Sequence, residues 1–305
     1  MDTERFRFIG GCVVGAGDGP LLVAAEDLHL AAAGKPQSVF SLYLDGQWHP
    51  LETRLDWTTF SMTAARTPGE STWSVLALGE GGPVCELRPS AEGSTASVSS
   101  IPGHIGMTHL ATIDNVIYAC GLGREVLRRE VDGRWTDLSA PAPGVDDGVV
   151  HFTGLAGRSA NEIYAVGWKG EIWVRTGEGW SREDSPTRAQ LGAVTLTEEG
   201  LVYIVGQEGT LVRGRRGRWE ALDTGLHEDL RDVCVHAGEV FVSTDSRVFK
   251  LTGEGVLSAL ADDSDEQVED TSCRMLLSAA NLGLCSIKSG GVFLLKDDGT
   301  WDRLG

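Results

Sequence analysis

Three histidines are the residues of this chain best suited to chemistry. His109, His151 and His236 each lie in a short apolar run that reads as the first strand of a repeated sheet. Imidazole titrates near neutral pH, so a histidine there could hold a metal ion or act as a general base. Either role also needs carboxylates at matching positions of the other first strands, and the sequence shows no such recurring set. We therefore interpret the three as hydrogen-bonded packing residues and predict neither a catalytic residue nor a metal site.

Short catalytic and cofactor motifs are missing from the sequence. It contains no G-x-S-x-G, H-E-x-x-H or G-x-x-x-x-G-K pattern. The six cysteines are scattered singly without a C-x-x-C pair, which favours buried, reduced thiols over zinc ligands or disulfides. We predict no cofactor, and the cysteine usage indicates the cytoplasm.

Acidic side chains are the second group with chemical potential. The chain carries 44 acidic and 26 basic side chains, a formal net charge of −18. Such an excess argues against direct binding to nucleic acid or to an anionic membrane, because like charges repel. The charged start of the sequence, without a long apolar run after it, predicts neither a signal peptide nor a membrane span.

A repeated phrase indicates which elements position these side chains. An apolar run, an Asp-Gly-like turn and a tryptophan recur, ending at Trp48, Trp135, Trp180, Trp219 and Trp301. Trp135 and Trp180 are 45 residues apart, and Trp180 and Trp219 are 39 apart. The two longer intervals each hold a degraded copy without tryptophan. A period of about 40–45 residues is typical of one four-stranded propeller blade.

The interior of each repeat predicts four strands. Runs rich in β-branched and aromatic residues alternate with Gly, Asp and Asn, and the Asp-Gly pairs suit tight type I′ hairpins. We predict an all-β chain, a seven-bladed β-propeller of four-stranded antiparallel blades in one domain over residues 1–305. An irregular β-sandwich or a two-domain chain is the alternative. The predicted blades are approximately 1–50, 51–98, 99–140, 141–184, 185–223, 224–261 and 262–305.

The repeated phrase also resembles a known repeat family. Asp297-Asp298-Gly299-Thr300-Trp301 is the copy most similar to the Asp box of bacterial YVTN/BNR-type propellers, although the serine two positions before the Asp is missing. The resemblance spans essentially the whole chain and implies a propeller. It does not imply one function, because such families include sialidase-like enzymes, lectins, assembly factors and interaction platforms.

Propeller topology predicts an acidic face. Loops between blades share one end of the ring with the middle hairpin of each blade, and both are rich in carboxylates here, with Trp57 and Trp168 among them. Exposed tryptophans beside carboxylates resemble interface hot spots. The predicted partner-binding residues are Trp57, Asp146, Asp147, Trp168, Glu183, Asp184, Glu208, Asp229, Asp262, Asp263, Asp265 and Glu266. A basic sector is expected at the opposite turns, from Arg128, Arg129, Arg134, Arg213, Arg215, Arg216 and Arg218. The run 262–270 could also bind calcium, but it lacks spaced D-x-D-x-D-G ligands, and a mobile acidic loop is favoured.

These features favour a noncatalytic, cytoplasmic, monomeric protein that binds a basic protein partner. One concrete version is a bacterial immunity or inhibitor protein that neutralises a cationic toxin, for example a nuclease, because an acidic face would speed association and block a basic cleft. Two alternatives stay open. One is a propeller-type hydrolase or lyase acting at the central channel. The other is a glycan-binding lectin, against which the unequal second and sixth repeats argue.

Overall fold

The structure is a computed structural model that describes residues 5–15, 17–67, 72–90, 93–104, 106–177, 179–253, 255–260 and 273–304. These residues form seven four-stranded antiparallel sheets, each made of four consecutive strands. The fold class is therefore all-β, a seven-bladed β-propeller, and that prediction is confirmed. Of the helices in the described part of the chain, none has the length and apolar content that a membrane crossing requires.

The strands follow one another in chain order, and a short helix, α1, lies between the second and third strands of the first sheet. The first two sheets contain β1 (Phe6–Val13), β2 (Leu21–Asp27), α1 (Leu28–Ala32), β3 (Ser38–Leu44), β4 (Gln47–Leu55), β5 (Thr59–Arg66), β6 (Trp73–Gly79), β7 (Pro83–Ser90) and β8 (Gly93–Ser100). The third and fourth contain β9 (Met107–Ile113), β10 (Val116–Gly121), β11 (Val126–Arg129), β12 (Trp135–Asp137), β13 (Phe152–Ser159), β14 (Glu162–Gly167), β15 (Ile172–Thr176) and β16 (Gly179–Arg182). The last three contain β17 (Leu191–Leu196), β18 (Val202–Gly206), β19 (Leu211–Arg215), β20 (Arg218–Leu222), β21 (Asp232–His236), β22 (Glu239–Ser243), β23 (Val248–Leu251), β24 (Leu257–Ala259), β25 (Cys273–Ala279), β26 (Gly283–Lys288), β27 (Gly291–Leu295) and β28 (Trp301–Arg303).

The chain divides into two compact units. Unit 1 comprises Met1–Thr108 and Ala261–Gly305 and holds the first, second and seventh sheets. Inside it, β1 pairs with β2 and packs against β25 and β26, and the Phe8 N–H donates to the Ser289 carbonyl at 3.0 Å. The first and last sheets therefore meet by packing, since neither borrows a strand from the other.

Unit 2 comprises His109–Leu260 and holds most of the third sheet together with the fourth, fifth and sixth. Apolar side chains from successive sheets form its core. Phe152 and Trp173 lie in a cluster shared by the third and fourth sheets, and Tyr164 and Ile204 lie in one shared by the fourth and fifth. Burial of these side chains holds neighbouring sheets together, because apolar surface removed from water contributes about 25 cal/mol per Å².

Some of the repeat tryptophans add a hydrogen bond to this packing. In unit 2, Trp180 Nε1 donates to the Leu138 carbonyl at 2.5 Å, and in unit 1, Trp48 Nε1 donates to the Leu304 carbonyl at 2.7 Å. Each acceptor lies three residues after the repeat tryptophan of the neighbouring sheet. The indole thus fastens the outer strand of one sheet to the next, which gives the sequence period a physical cause.

Of the two Asp-Gly turns, one has the type I′ backbone that the sequence predicts. Asp45 and Gly46 have φ values of 51° and 77°, so both central residues are left-handed, as a type I′ hairpin requires. In the second Asp-Gly copy only Gly133 has positive φ, at 82°. The two turns therefore share their sequence but not their backbone conformation.

Two glycines at the ends of second strands permit a close backbone approach. A Cβ on Gly167 would lie 1.9 Å from the His151 carbonyl oxygen, and one on Gly206 would lie 2.2 Å from the Gln190 carbonyl oxygen. In both sheets the first strand has a register shift at its start, beside the glycine. In each case the loop that precedes a sheet therefore lies against the middle turn of that sheet, which is the turn between its second and third strands.

Candidate partner-binding surface

Seven of the predicted site residues lie in unit 2, in loops between sheets or in middle turns. Asp146 and Asp147 occupy a 3-10 turn between β12 and β13, Trp168 lies between β14 and β15, Glu183 and Asp184 follow β16, Glu208 lies between β18 and β19, and Asp229 lies between β20 and β21. Backbone hydrogen bonds join loop to turn, such as Trp168 N–H to the His151 carbonyl at 3.0 Å and Gln207 N–H to the Gln190 carbonyl at 2.9 Å. These loops and middle turns of unit 2 are together named the loop surface.

A buried arginine organises the first part of this surface. Arg124, only 3% exposed, binds both carboxylate oxygens of Glu171 at 2.8 and 2.6 Å and Asp147 Oδ2 at 2.9 Å. Its hydrogen bond to Glu171 is the main cause that raises the pKa of Arg124 above its ordinary value. The Gly144 N–H and then Arg124 lower the pKa of Asp147. Asp147 therefore fixes the loop and is not a free charge.

Glu171 has further partners. Trp173 Nε1 donates to it at 3.1 Å, the half-exposed Arg182 lies 3.5 Å from it, and the Arg124 guanidinium lies 5.0 Å from the centre of the Trp173 ring. The sequence interpretation named neither Arg124 nor Glu171. The only hint in the sequence was that Arg124 is a charged residue next to Gly123 in a middle turn.

Glu183 also has a structural role. Its Oε2 accepts from Trp219 Nε1 at 3.0 Å and from the Gly217 N–H. The position is equivalent to that of Leu138, so a carboxylate takes the place of the carbonyl that holds the repeat tryptophan elsewhere. Glu183 is half-buried and fastens the fifth sheet to the fourth.

The most accessible predicted carboxylates are Asp146, Asp184 and Glu208, which are exposed. Asp229 is half-buried, and its Oδ1 accepts from the Glu208 N–H at 3.1 Å. Arg231 lies 3.4 Å from Asp229. Cations therefore lie among the carboxylates, and the surface is more mixed in charge than the sequence predicted. Further basic side chains on these loops and turns include Lys169, Arg188 and Arg247, and Arg182 ends β16 beside them.

The two predicted tryptophans both pack on their own units. Trp168 is half-buried and stacks on His151, with ring centres 5.4 Å apart and planes at 27°. Trp57, in unit 1, is half-buried against a core cluster and lies over Gly79, where an added Cβ would come within 2.0 Å of its Cδ1. Only part of each indole is open to a partner. Asp262, Asp263, Asp265 and Glu266, with the alternative of a calcium loop, lie outside the described residues.

Arginines of the expected basic sector are largely paired. Arg128 binds Glu130 at 2.7 Å, and Arg215 binds the nearly buried Glu162 at 2.9 Å. Arg134 similarly binds Asp132, Arg213 binds Glu220, and Arg216 lies 3.4 Å from Glu162. Much of the positive charge at these turns is thus balanced locally.

His109, His151 and most of the cysteines are at least half-buried. Burial lowers the pKa of His109 to about 4 and also lowers the pKa of His151. Among the residues that the structure describes, no group of three or more His, Cys, Asp or Glu could hold a metal ion. All six cysteines lie in the described part of the chain, none forms a disulfide and five are buried. Burial raises the pKa of Cys12 to about 12 and is the main cause that raises that of Cys85 to about 11.

The fold defines a seven-bladed β-propeller, and the loops and middle turns of its unit 2 carry exposed carboxylates. Over 259 residues, 82% of this chain and 81% of the relative, the chain is 37% identical to the immune protein Tsi7 of Pseudomonas aeruginosa. The chain therefore belongs to the family of this immune protein. The prediction of a bacterial immunity protein is confirmed at the level of the family.

Two solved structures show the same fold at low sequence identity. YCF48 bound to D1 peptide matches with a TM-score of 0.66 and 13% identity, covering 94% of this chain and 90% of that one. A chain of the COPII outer coat vertex on membranes matches with a TM-score of 0.68 and 12% identity, covering 95% and 85%. No family model matches, so the resemblance to YVTN/BNR repeats rests on the quoted motifs alone.

Proposed function

We propose that the chain is a noncatalytic, cytoplasmic immunity protein that binds a toxin with a basic surface and blocks its action. The observation that carries this proposal is the family relationship to the immune protein Tsi7. The basic character of the toxin is supported by the net charge of −18 and by the exposed carboxylates on the loops of unit 2.

The proposed contact residues divide by their structural roles. Asp146, Asp184 and Glu208 are exposed and would meet the cations of the toxin directly, with Asp229 and the open part of Trp168 beside them. Asp147 and Glu183 instead hold the loops that display these residues. In this proposal Trp57, Asp262, Asp263, Asp265 and Glu266 remain further contact residues.

Electrostatic complementarity would act mainly on the rate of association. Opposite charges steer two proteins together and can raise the association rate constant by about 10- to 1,000-fold at low ionic strength. Exposed charges are screened by salt, with a Debye length of about 8 Å at physiological ionic strength. A toxin held in this way would have its basic cleft covered and its acidic substrate excluded.

The test requires the cognate toxin, defined as the protein that co-purifies with the chain from its native host and stops growth when expressed in another bacterium. For the variant Asp146→Lys/Asp184→Lys we expect an association rate constant at least about ten-fold lower at low salt, with the difference shrinking as salt is added. Both side chains are exposed, so the midpoint of thermal unfolding should stay unchanged. Stopped-flow or surface-plasmon measurements provide the rates.

A matched control is available in Glu198→Lys/Asp297→Lys. Both of these side chains are exposed, and both variants change the net charge of −18 by the same amount, to −14. The control should associate within about two-fold of the wild type, because it leaves the loop surface intact. Equal losses in the two variants would show that overall charge and not this surface steers the toxin, and would overturn the proposed site.

A further inference from the structure

Exposed apolar side chains are concentrated on one loop and one turn of unit 2. Among the described residues, seven large apolar side chains are exposed, and three of them belong to this pair. Val145 is 100% exposed, Val149 61% and Leu122 46%. A single exposed apolar residue needs no explanation, but a group of them beside charged residues is typical of an interaction site.

The loop and the turn lie side by side. Leu122 forms an isolated β-bridge with His151, at the end of the loop, and the Gly123 N–H donates to the Val150 carbonyl at 3.0 Å. At the beginning of the loop, the Ala140 N–H donates to the Arg124 carbonyl at 3.1 Å. Both ends of the loop are therefore attached to the turn that carries Leu122.

The tip of the loop is held in one conformation. The Asp147 N–H donates to the Gly144 carbonyl at 3.1 Å, and the Gly144 N–H returns a bond to Asp147 Oδ2 at 3.0 Å. The Arg124 guanidinium donates hydrogen bonds to two residues of the loop, to the Asp147 carboxylate and, at 3.2 Å, to the Pro141 carbonyl oxygen. Arg124 has φ of 66°, in the left-handed region that is unfavourable for a non-glycine residue. Such strain persists where the surroundings over-determine it, often at binding sites.

We propose that Val145, Val149 and Leu122 form an apolar anchor that inserts into an apolar depression of the toxin bordered by Lys or Arg side chains. This inference rests on the proposed function. It identifies the part of the surface whose contacts slow the dissociation of the toxin. Asp146, exposed and next to Val145, would meet the cations at the border. A second copy of this chain is a less suitable occupant, because two chains that each carry a net charge of −18 repel each other. A loop fixed in advance loses little conformational entropy on binding, which favours tight association.

The test compares Val145→Ser with Val131→Ser. Val131 is also an exposed valine, 79% open, but it lies in the hairpin turn between β11 and β12. Both changes are neutral, so the salt dependence of binding should be unchanged. We expect Val145→Ser to raise the dissociation constant for the cognate toxin about five- to ten-fold through faster dissociation, and Val131→Ser to leave it within about two-fold.

A footprint locates the anchor independently of affinity. Val145→Cys and Val131→Cys each introduce an exposed thiol into a chain whose own cysteines are mostly buried with raised pKa values. Excess toxin should protect the thiol at 145 from a maleimide dye and leave the thiol at 131 reactive. The labelling of the wild type supplies the background.

The outcomes separate the two proposals. Toxin binding that is equally insensitive to both serine changes, with no protection at position 145, would overturn the anchor and leave the immunity function standing. If the wild-type chain retains no growth-arresting protein from its native host, both proposals are overturned. A wild-type dimer in sedimentation that Val145→Ser converts to a monomer would make a second copy the occupant and overturn the anchor as proposed.

Discussion

Arg124→Ala is expected to lower the free energy of unfolding by about 3–5 kcal/mol, because it leaves a buried carboxylate without its main partner. Glu171 is as buried as Arg124, and each is only 3% exposed. After the substitution Glu171 would retain Trp173 Nε1 and the more distant Arg182, neither of which replaces a bidentate guanidinium. Urea unfolding followed by tryptophan fluorescence measures the change.

The control for Arg124 is Arg182→Ala, which removes the other arginine near the same carboxylate. Arg182 is 53% exposed and 3.5 Å away, so its loss should cost less than about 1 kcal/mol. A double variant, Arg124→Met/Glu171→Leu, should recover most of the stability, because replacing both members of a buried pair by apolar residues is often nearly neutral. Equal destabilisation by Arg124→Ala and Arg182→Ala would contradict a central role for the buried pair.

Trp219→Ala is the second substitution with a large expected effect, a loss of about 2–4 kcal/mol from apolar contact and one hydrogen bond. The ring is half-buried, meets Tyr164 edge to face with centres 5.9 Å apart, and donates to Glu183. The ring lies between the fourth and fifth sheets, so its removal weakens the packing of these two sheets against each other. The same urea titration reports it.

Trp219→Phe separates the two contributions. It keeps most of the aromatic contact and removes the N–H donor, so a loss of about 1 kcal/mol is expected. Glu183→Gln keeps an acceptor for the Gly217 N–H and for the indole and should cost less than Glu183→Ala. An unfolding midpoint of Trp219→Ala equal to that of the wild type would show that this repeat tryptophan does not fasten the sheets.

The fold could be predicted from sequence because its period has a local cause. The indoles of Trp48, Trp180 and Trp219 each donate to the residue just after the outer strand of the neighbouring sheet, so a tryptophan recurs at a similar place in successive repeats. The second and sixth sheets end in β8 and β24 without a tryptophan, and their strands still form because turns and apolar runs are enough. The degraded copies could therefore be placed by spacing alone.

The surface could be predicted only in outline. Topology places the loop carboxylates beside the middle turns, but it does not say which carboxylates are already paired. Arg124 and Glu171 are 47 residues apart in sequence, and both lie in turns without periodicity, so their contact leaves no local signal. Glu183 resembles Asp184 as a loop acid, yet it alone accepts from Trp219. The full exposure of Val145 likewise depends on the hydrogen bonds that hold its loop in place, which the sequence does not show.

Growth rescue tests the central claim most directly. The cognate toxin is expressed from an inducible promoter in a bacterium that lacks both proteins, with the chain supplied on a second plasmid and its level checked by immunoblot. Cells with the wild-type chain should grow at the rate of toxin-free cells, and cells with Asp146→Lys/Asp184→Lys should grow more slowly at equal expression. Growth arrest despite full expression of the wild-type chain would contradict an immunity function.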